Sequence, residues 1–108
     1  FWKQLTRLTI NRSKVSSLDV QGLPALQILS CSFNYTLTFL NVQGLTALRE
    51  LYCGHNQLSS LNVQGLTALN IIWCPGSKFT TLNLQGLARL ESLSCSYSSQ
   101  LTTVNLQG

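Results

Sequence analysis

Charge is scarce in this chain: Asp, Glu, Lys and Arg make up 9% of its 108 residues, against about 25% in an ordinary soluble domain. The acidic residues are three, Asp19, Glu50 and Glu91, and there is one histidine, His55. That leaves little material for acid–base catalysis. The carboxylates fall in different places of the sequence pattern described below, which disfavours a two-carboxylate hydrolytic site. His55 could pair with Glu50 or Tyr52 of its own segment, but no nucleophile with an oriented base follows from the spacing. The sequence therefore reads as non-enzymatic, and it implies no cofactor. There is no run of 18 apolar residues to span a membrane, and no signal peptide is recognisable within these residues. The cysteines contain no Cys-x-x-Cys pair, which argues against the common zinc motifs. Ser, Thr, Asn and Gln must then make the surface, giving it an uncharged, adhesive character.

What the chain does have is repetition. Asn-Val-Gln-Gly or a close variant ends at Gly22, Gly44, Gly65, Gly86 and Gly108, at spacings of 22, 21, 21 and 22 residues. Nine residues after each of the first four glycines comes a cysteine: Cys31, Cys53, Cys74 and Cys95. One supersecondary unit is being copied with almost no slippage. Leu45, Leu48, Leu51, Cys53, Asn56, Leu58, Leu61 and Val63 show the unit most clearly. The first copy begins at Trp2 in place of the leading leucine and carries Leu5, Leu8 and Ile10. The longer copies hold one extra residue, at Tyr35-Thr36 and Ser99-Gln100, both in loop positions. We read one domain of five repeats: 2–22, 23–44, 45–65, 66–86 and 87–108.

The unit resembles the leucine-rich repeat, Leu-x-x-Leu-x-Leu-x-x-Asn/Cys-x-Leu with a period of about 20–29 residues, over essentially the whole chain. In that family Leu-x-Leu is a short parallel strand, and the Asn caps backbone groups at the following turn. Asn34 and Asn56 match; Ser13, Ser77 and Ser98 depart. Serine offers one hydroxyl where Asn offers an acceptor and two donors, so an asparagine ladder should be interrupted at those coils. The second half of each unit, Leu58-x-x-Leu61-x-Val63, copies the spacing of Leu48-x-x-Leu51-x-Cys53. This nested period looks like that of certain bacterial leucine-rich repeats. The expected fold is a β-rich solenoid with parallel short strands on both sides of each coil, little or no α-helix, and a turn of 3₁₀ around Leu-Thr-Ala-Leu. Neither end carries a polar capping unit, so the chain reads as a piece of a longer array. Alternatively, its bare ends stack or pair in a dimer.

Stacked coils would bring successive cysteines about 4.8 Å apart, within disulfide range. Parallel in-register side chains rarely meet the required torsion, however. Ile10 holds the cysteine position in the first copy, which favours a buried column of thiols acting as small hydrophobes. The formal charge of +4 is weighted to the first copy through Lys3, Arg7, Arg12 and Lys14. Arg49, Lys78 and Arg89 fall in different repeat columns, so no basic track for nucleic acid is expected. Some electrostatic bias toward acidic partners remains. Two sequons occur, at Asn11 and Asn34; Asn34 is accounted for by the turn position, and glycosylation is not expected.

Each repeat column becomes a line of neighbouring side chains on a solenoid. The second-strand columns are monotonous: Asp19, Asn41, Asn62, Asn83 and Asn105, then Gln21, Gln43, Gln64, Gln85 and Gln107. They read as scaffold, able to hydrogen-bond along the axis. The first-strand columns vary: Arg7, Ile28, Glu50, Ile71, Ser92; Thr9, Ser30, Tyr52, Trp73, Ser94; and Arg12, Phe33, His55, Gly76, Tyr97. Ile28, Phe33, Tyr52, His55, Ile71, Trp73 and Tyr97 are the candidate binding residues, expected as one aromatic and apolar patch; Pro75-Gly76 beside Trp73 is either a shallow notch or a drifted copy of the repeat. Contiguous exposed apolar surface marks interaction sites. The expected function is a protein-binding module. The family resemblance implies a surface-exposed or secreted bacterial protein in adhesion or contact with host extracellular proteins. Glycan binding by Trp73 and Tyr52 is the alternative, and a structural spacer the third reading.

Overall fold

A computed structural model describes residues 2–79, 81–95 and 103–105, with Trp2 and 103–105 described by backbone alone. Each coil crosses the first side as a three-residue strand: β1 (Arg7–Thr9), β3 (Ile28–Ser30), β5 (Glu50–Tyr52), β6 (Ile71–Trp73) and β8 (Ser92–Ser94). The second side carries β2 (Ser17–Asp19), β4 (Phe39–Asn41), β7 (Thr81–Asn83) and β9 (Thr103–Asn105). The first-side strands form one parallel sheet in the order β1-β3-β5-β6-β8. Its register advances one repeat per strand, so Leu8, Leu29, Leu51, Ile72 and Leu93 stack in line. The ladder runs on into the next column: Ile10, Cys31, Cys53 and Cys74 donate N–H bonds of 2.7–2.9 Å to Ser30, Tyr52, Trp73 and Ser94.

The core follows the repeat pattern. Leu26, Leu29, Leu37, Leu45, Leu48, Leu51, Val63, Leu69 and Ile72 are fully buried in one continuous cluster, each such side chain contributing about 1.5–3 kcal/mol. Cys31, Cys53 and Cys74 lie buried within it as free thiols, and Cys95 is half-buried. At the corner between the two sides, Gly44, Gly65 and Gly86 take φ of +84°, +82° and +81°, as position i+2 of a type II turn requires. The Leu-x-Ala-Leu segment is not a 3₁₀ helix. It closes on one i→i+3 bond per coil, such as Leu48 N–H to Leu45 O at 3.0 Å. Among the described residues a 3₁₀ turn forms instead at Trp2–Gln4.

The second side is less regular than the nested period predicts. It holds two separate pairs, β2–β4 and β7–β9, and the segment around Leu61 is not a strand. Glutamine accounts for the gap. Between the first two coils Val20 N–H reaches Asn41 O at 3.2 Å. In the next two steps the corresponding carbonyls, Asn62 O and Asn83 O, accept instead from Gln43 Nε2 at 2.9 Å and Gln64 Nε2 at 3.0 Å. The glutamine column is thus a side-chain substitute for the backbone ladder. The first four coils also form an Asx turn, with Asp19, Asn41, Asn62 and Asn83 Oδ1 accepting from Gln21, Gln43, Gln64 and Gln85 N–H.

The asparagine turn works as the family pattern implies. Asn34 Nδ2 donates to Ile10 O and Cys31 O, both at 2.7 Å, while Asn56 Nδ2 donates to Cys31 O at 3.0 Å and Cys53 O at 3.1 Å. Asn56 Oδ1 accepts Asn34 N–H at 2.8 Å. At Ser13 the ladder ends without a loose group, because both its N–H and its hydroxyl donate to Asn34 Oδ1. Ser77 keeps one of the asparagine bonds, donating its hydroxyl to Cys74 O. Ser98 lies outside the described residues.

Candidate functional site

The site is built where three variable columns meet. Immediately after the cysteine ladder the chain turns through a left-handed residue in the first four coils: Arg12 (φ 54°), Phe33 (φ 59°), His55 (φ 57°) and Gly76 (φ 70°). Such angles are unfavourable for bulky L-residues, by about 1–2 kcal/mol each. Ladder bonds hold them there. Arg12 N–H reaches Ser32 O at 3.0 Å, Phe33 N–H reaches Gly54 O at 2.9 Å, and His55 N–H reaches Pro75 O at 2.7 Å.

This strained column projects a stack of side chains along the solenoid axis. The Arg12 guanidinium sits over the Phe33 ring, 4.6 Å from its centroid. Phe33 stacks on His55 with centroids 4.7 Å apart and planes 14° from parallel. His55 in turn rests on Gly76, where an added Cβ would lie 2.7 Å from its Nδ1. Trp73 closes the flank, its centroid 6.0 Å from His55 and 6.3 Å from Phe33. Its ring and Pro75 press on Gly54, where a Cβ would meet Pro75 Cδ at 2.7 Å and Trp73 Cζ3 at 2.9 Å. Pro75-Gly76 is therefore no open notch. It is a filled seat, with Pro75 buried and Gly76 covered by the imidazole.

Beside the stack lies the concave part. In the column Thr9, Ser30, Tyr52, Trp73 the side chains step from small to large, leaving a recess above Ser30. Two adjoining hollows of about 300 and 430 Å³ occupy it, sharing Asn11, Ser30 and Tyr52. Arg12, Ser32, Phe33 and Trp73 complete the first, and Arg7, Thr9, Ile28 and Glu50 the second. Asn11 Oδ1 organises the floor, accepting from Ser30 Oγ at 2.9 Å and Ser32 N–H at 2.8 Å. The Tyr52 hydroxyl donates to Glu50 Oε1 at 2.6 Å. That bond, then partial desolvation and the Glu50 charge, raises the Tyr52 phenol above its ordinary value against the opposing pull of Arg7.

Of the residues expected in one patch, Phe33, His55 and Trp73 form the ring cluster, and Tyr52 shares a hollow with Phe33 and Trp73. Ile28 lines the adjoining hollow with Tyr52. Ile71 stands apart, because Glu50 lies between it and Ile28 in the sheet register. All six are half-buried rather than exposed; Tyr97 lies outside the described residues. Among the described residues the large exposed hydrophobics are Tyr35 (63%) and Phe39 (52%), and Phe39 is on the second side. Sequence reasoning missed Asn11, Ser30 and Ser32 as lining. The small-to-large step in the Thr9 column was the signal that could have found them.

Two further features frame the site. Arg49 and Arg89, placed in different columns by sequence, share a polar hollow of about 360 Å³ with Asn70 and Glu91, without any aromatic wall. Among the described residues no cluster of three or more His, Cys, Asp or Glu could hold a metal ion, and no helix is long and apolar enough to cross a membrane.

No family model and no curated protein matches the chain. Among solved structures it is similar to the functional domain of the leucine-rich-repeat protein InlJ from Listeria monocytogenes, at 25% identity and a TM-score of 0.67. The similarity covers 93% of this chain. The fold is a leucine-rich-repeat-like parallel β-solenoid. The InlJ domain is described as including a cysteine ladder, and this leucine-rich-repeat-like chain likewise stacks Cys31, Cys53 and Cys74 in its core. The chain spans 27% of the length of that InlJ structure.

Proposed function

We propose that this solenoid is a non-enzymatic protein-interaction module of the bacterial nested-period class, surface-exposed or secreted, which binds a partner through the first-side face. One observation carries the reading: the variation between repeats converges on one place. The Thr9, Arg7 and Arg12 columns, which differ from coil to coil, together wall the recess above Ser30, while the Asn and Gln columns of the second side engage each other. A pure spacer has no use for a concave, aromatic-walled recess whose ring column is held in left-handed backbone. The similarity to InlJ of Listeria supports the bacterial setting; a role in adhesion or host contact is what the resemblance to nested-period bacterial repeats implies.

The test is a binding screen of the protein against arrayed host extracellular proteins and glycans. Wild type, Tyr52→Ala/Trp73→Ala and the second-side variant Phe39→Ala are compared, with folding checked by circular dichroism. The reading expects a protein hit that is lost in the double variant and kept in Phe39→Ala. A hit that survives the double variant, or one confined to soluble sugars, contradicts it.

A further inference from the structure

The groove is richer in positive charge than in any group that would neutralise it. Arg7 and Arg12 both line it, and Glu50 is the one carboxylate among its lining residues. Glu50 is already engaged by the Tyr52 hydroxyl. Lys3 and Lys14 add exposed positive charge in the same coil, and the chain as a whole carries +4. Cation–π contact with Phe33 holds Arg12 at the groove mouth, so less side-chain freedom is lost when it pairs.

A second, independent feature lies at the floor. Ser32 is 4% exposed and borders the hollow, yet its hydroxyl has no hydrogen-bond partner. Buried polar groups without partners are uncommon and costly. Two acceptors of the floor are already engaged: Asn11 Oδ1 accepts from Ser30 and Ser32, and Glu50 Oε1 from Tyr52. What faces solvent is a guanidinium and an aromatic wall, with the unpartnered Ser32 hydroxyl buried at the floor.

We propose that this groove takes an acidic segment of a partner protein: an Asp or Glu side chain pairs with Arg12 beside the Ser32 hydroxyl, and the adjoining apolar side chain lies against Tyr52 and Trp73. This deepens the interaction reading and rests on it. Charge complementarity supplies the discrimination, because a carboxylate meets charge-assisted donors that an amide cannot match.

The test is calorimetric titration of the whole chain with the capped peptide Asp-Glu-Phe-Asp-Glu-Leu, its Asn-Gln-Phe-Asn-Gln-Leu counterpart, and sialyllactose. The acidic peptide should bind about tenfold tighter than the amide peptide, as hydrogen bonds between charged groups imply. The preference should shrink as salt rises past the point where the screening length falls below about 10 Å. Arg12→Gln should erase it, Arg12→Lys should keep part of it, Tyr52→Ala/Trp73→Ala should weaken both peptides, and Phe39→Ala should change nothing. Equal binding of the two peptides, no binding of either, an indifferent Arg12→Gln, or Arg12-dependent binding of sialyllactose alone would each overturn the acidic-segment assignment. None of those results touches the broader reading of the face, which falls only if an arrayed protein partner still binds Tyr52→Ala/Trp73→Ala.

Discussion

Replacing Asn56 by alanine should cost about 3 kcal/mol, from three hydrogen bonds worth about 1 kcal/mol each. Its Nδ2 donates to Cys31 O and Cys53 O, and its Oδ1 accepts Asn34 N–H, so one side chain ties two coils together. The site is 2% exposed, so water does not readily replace these bonds, and the stranded backbone groups push the cost upward. Against a total stability of about 5–15 kcal/mol for a domain, this is a large loss, equivalent to a fall in Tm of roughly 10 °C or more. Asn56→Ser should lose less, since Ser77 at the corresponding place still donates to Cys74 O. Asn62→Ala, which removes an exposed Asx-turn bond to Gln64 N–H, should cost under about 1 kcal/mol. Urea unfolding followed by far-ultraviolet circular dichroism measures all three. An Asn56→Ala cost below about 1 kcal/mol would refute the claim that the asparagine ladder couples the coils.

Burial pushes the Cys31 thiol up to about 12 and the Cys74 thiol to about 11, and raises Cys53 well above its ordinary value, helped by its cysteine neighbours. Because the folded values lie above the unfolded ones, stability should be level below pH 8 and fall as pH rises from about 9 to 11, by up to about 4 kcal/mol per pH unit for three thiols. Unfolding curves at stepped pH check this, and Cys53→Ala should flatten the slope. Gly76→Ala should destabilise by about 1–3 kcal/mol, because φ is +70° and the new Cβ would press on the His55 ring. The same variant should shift the imidazole resonances of His55. Gln64→Ala should cost about 1 kcal/mol by freeing Asn83 O and leave partner binding unchanged in the arrayed screen.

The repeat unit was legible because one apolar pattern recurs at a nearly constant spacing, and the sheet register follows it: Leu8, Leu29, Leu51, Ile72 and Leu93 align as the glycines do. The variable columns were legible for the same reason. Their packing was not. The alignment itself interposes Glu50 between Ile28 and Ile71, but the left-handed backbone at Phe33 and His55 leaves no mark in residue type. Nor does a dipeptide such as Pro75-Gly76 say whether it opens a notch or receives neighbouring side chains; that depends on His55 and Trp73 from its own coil and the one before. The break in the second side was hidden because a glutamine amide and a backbone N–H can serve the same carbonyl.

The most direct test of the central claim is a map of backbone amide shifts in the isotope-labelled protein on addition of the first arrayed protein that binds it. The account predicts that changes concentrate at residues 30–33, 52–55 and 73–76, around the groove and its ring stack, while 41–43, 62–64 and 83–85 stay in place. Changes centred on the second-side columns, with the groove undisturbed, would contradict it.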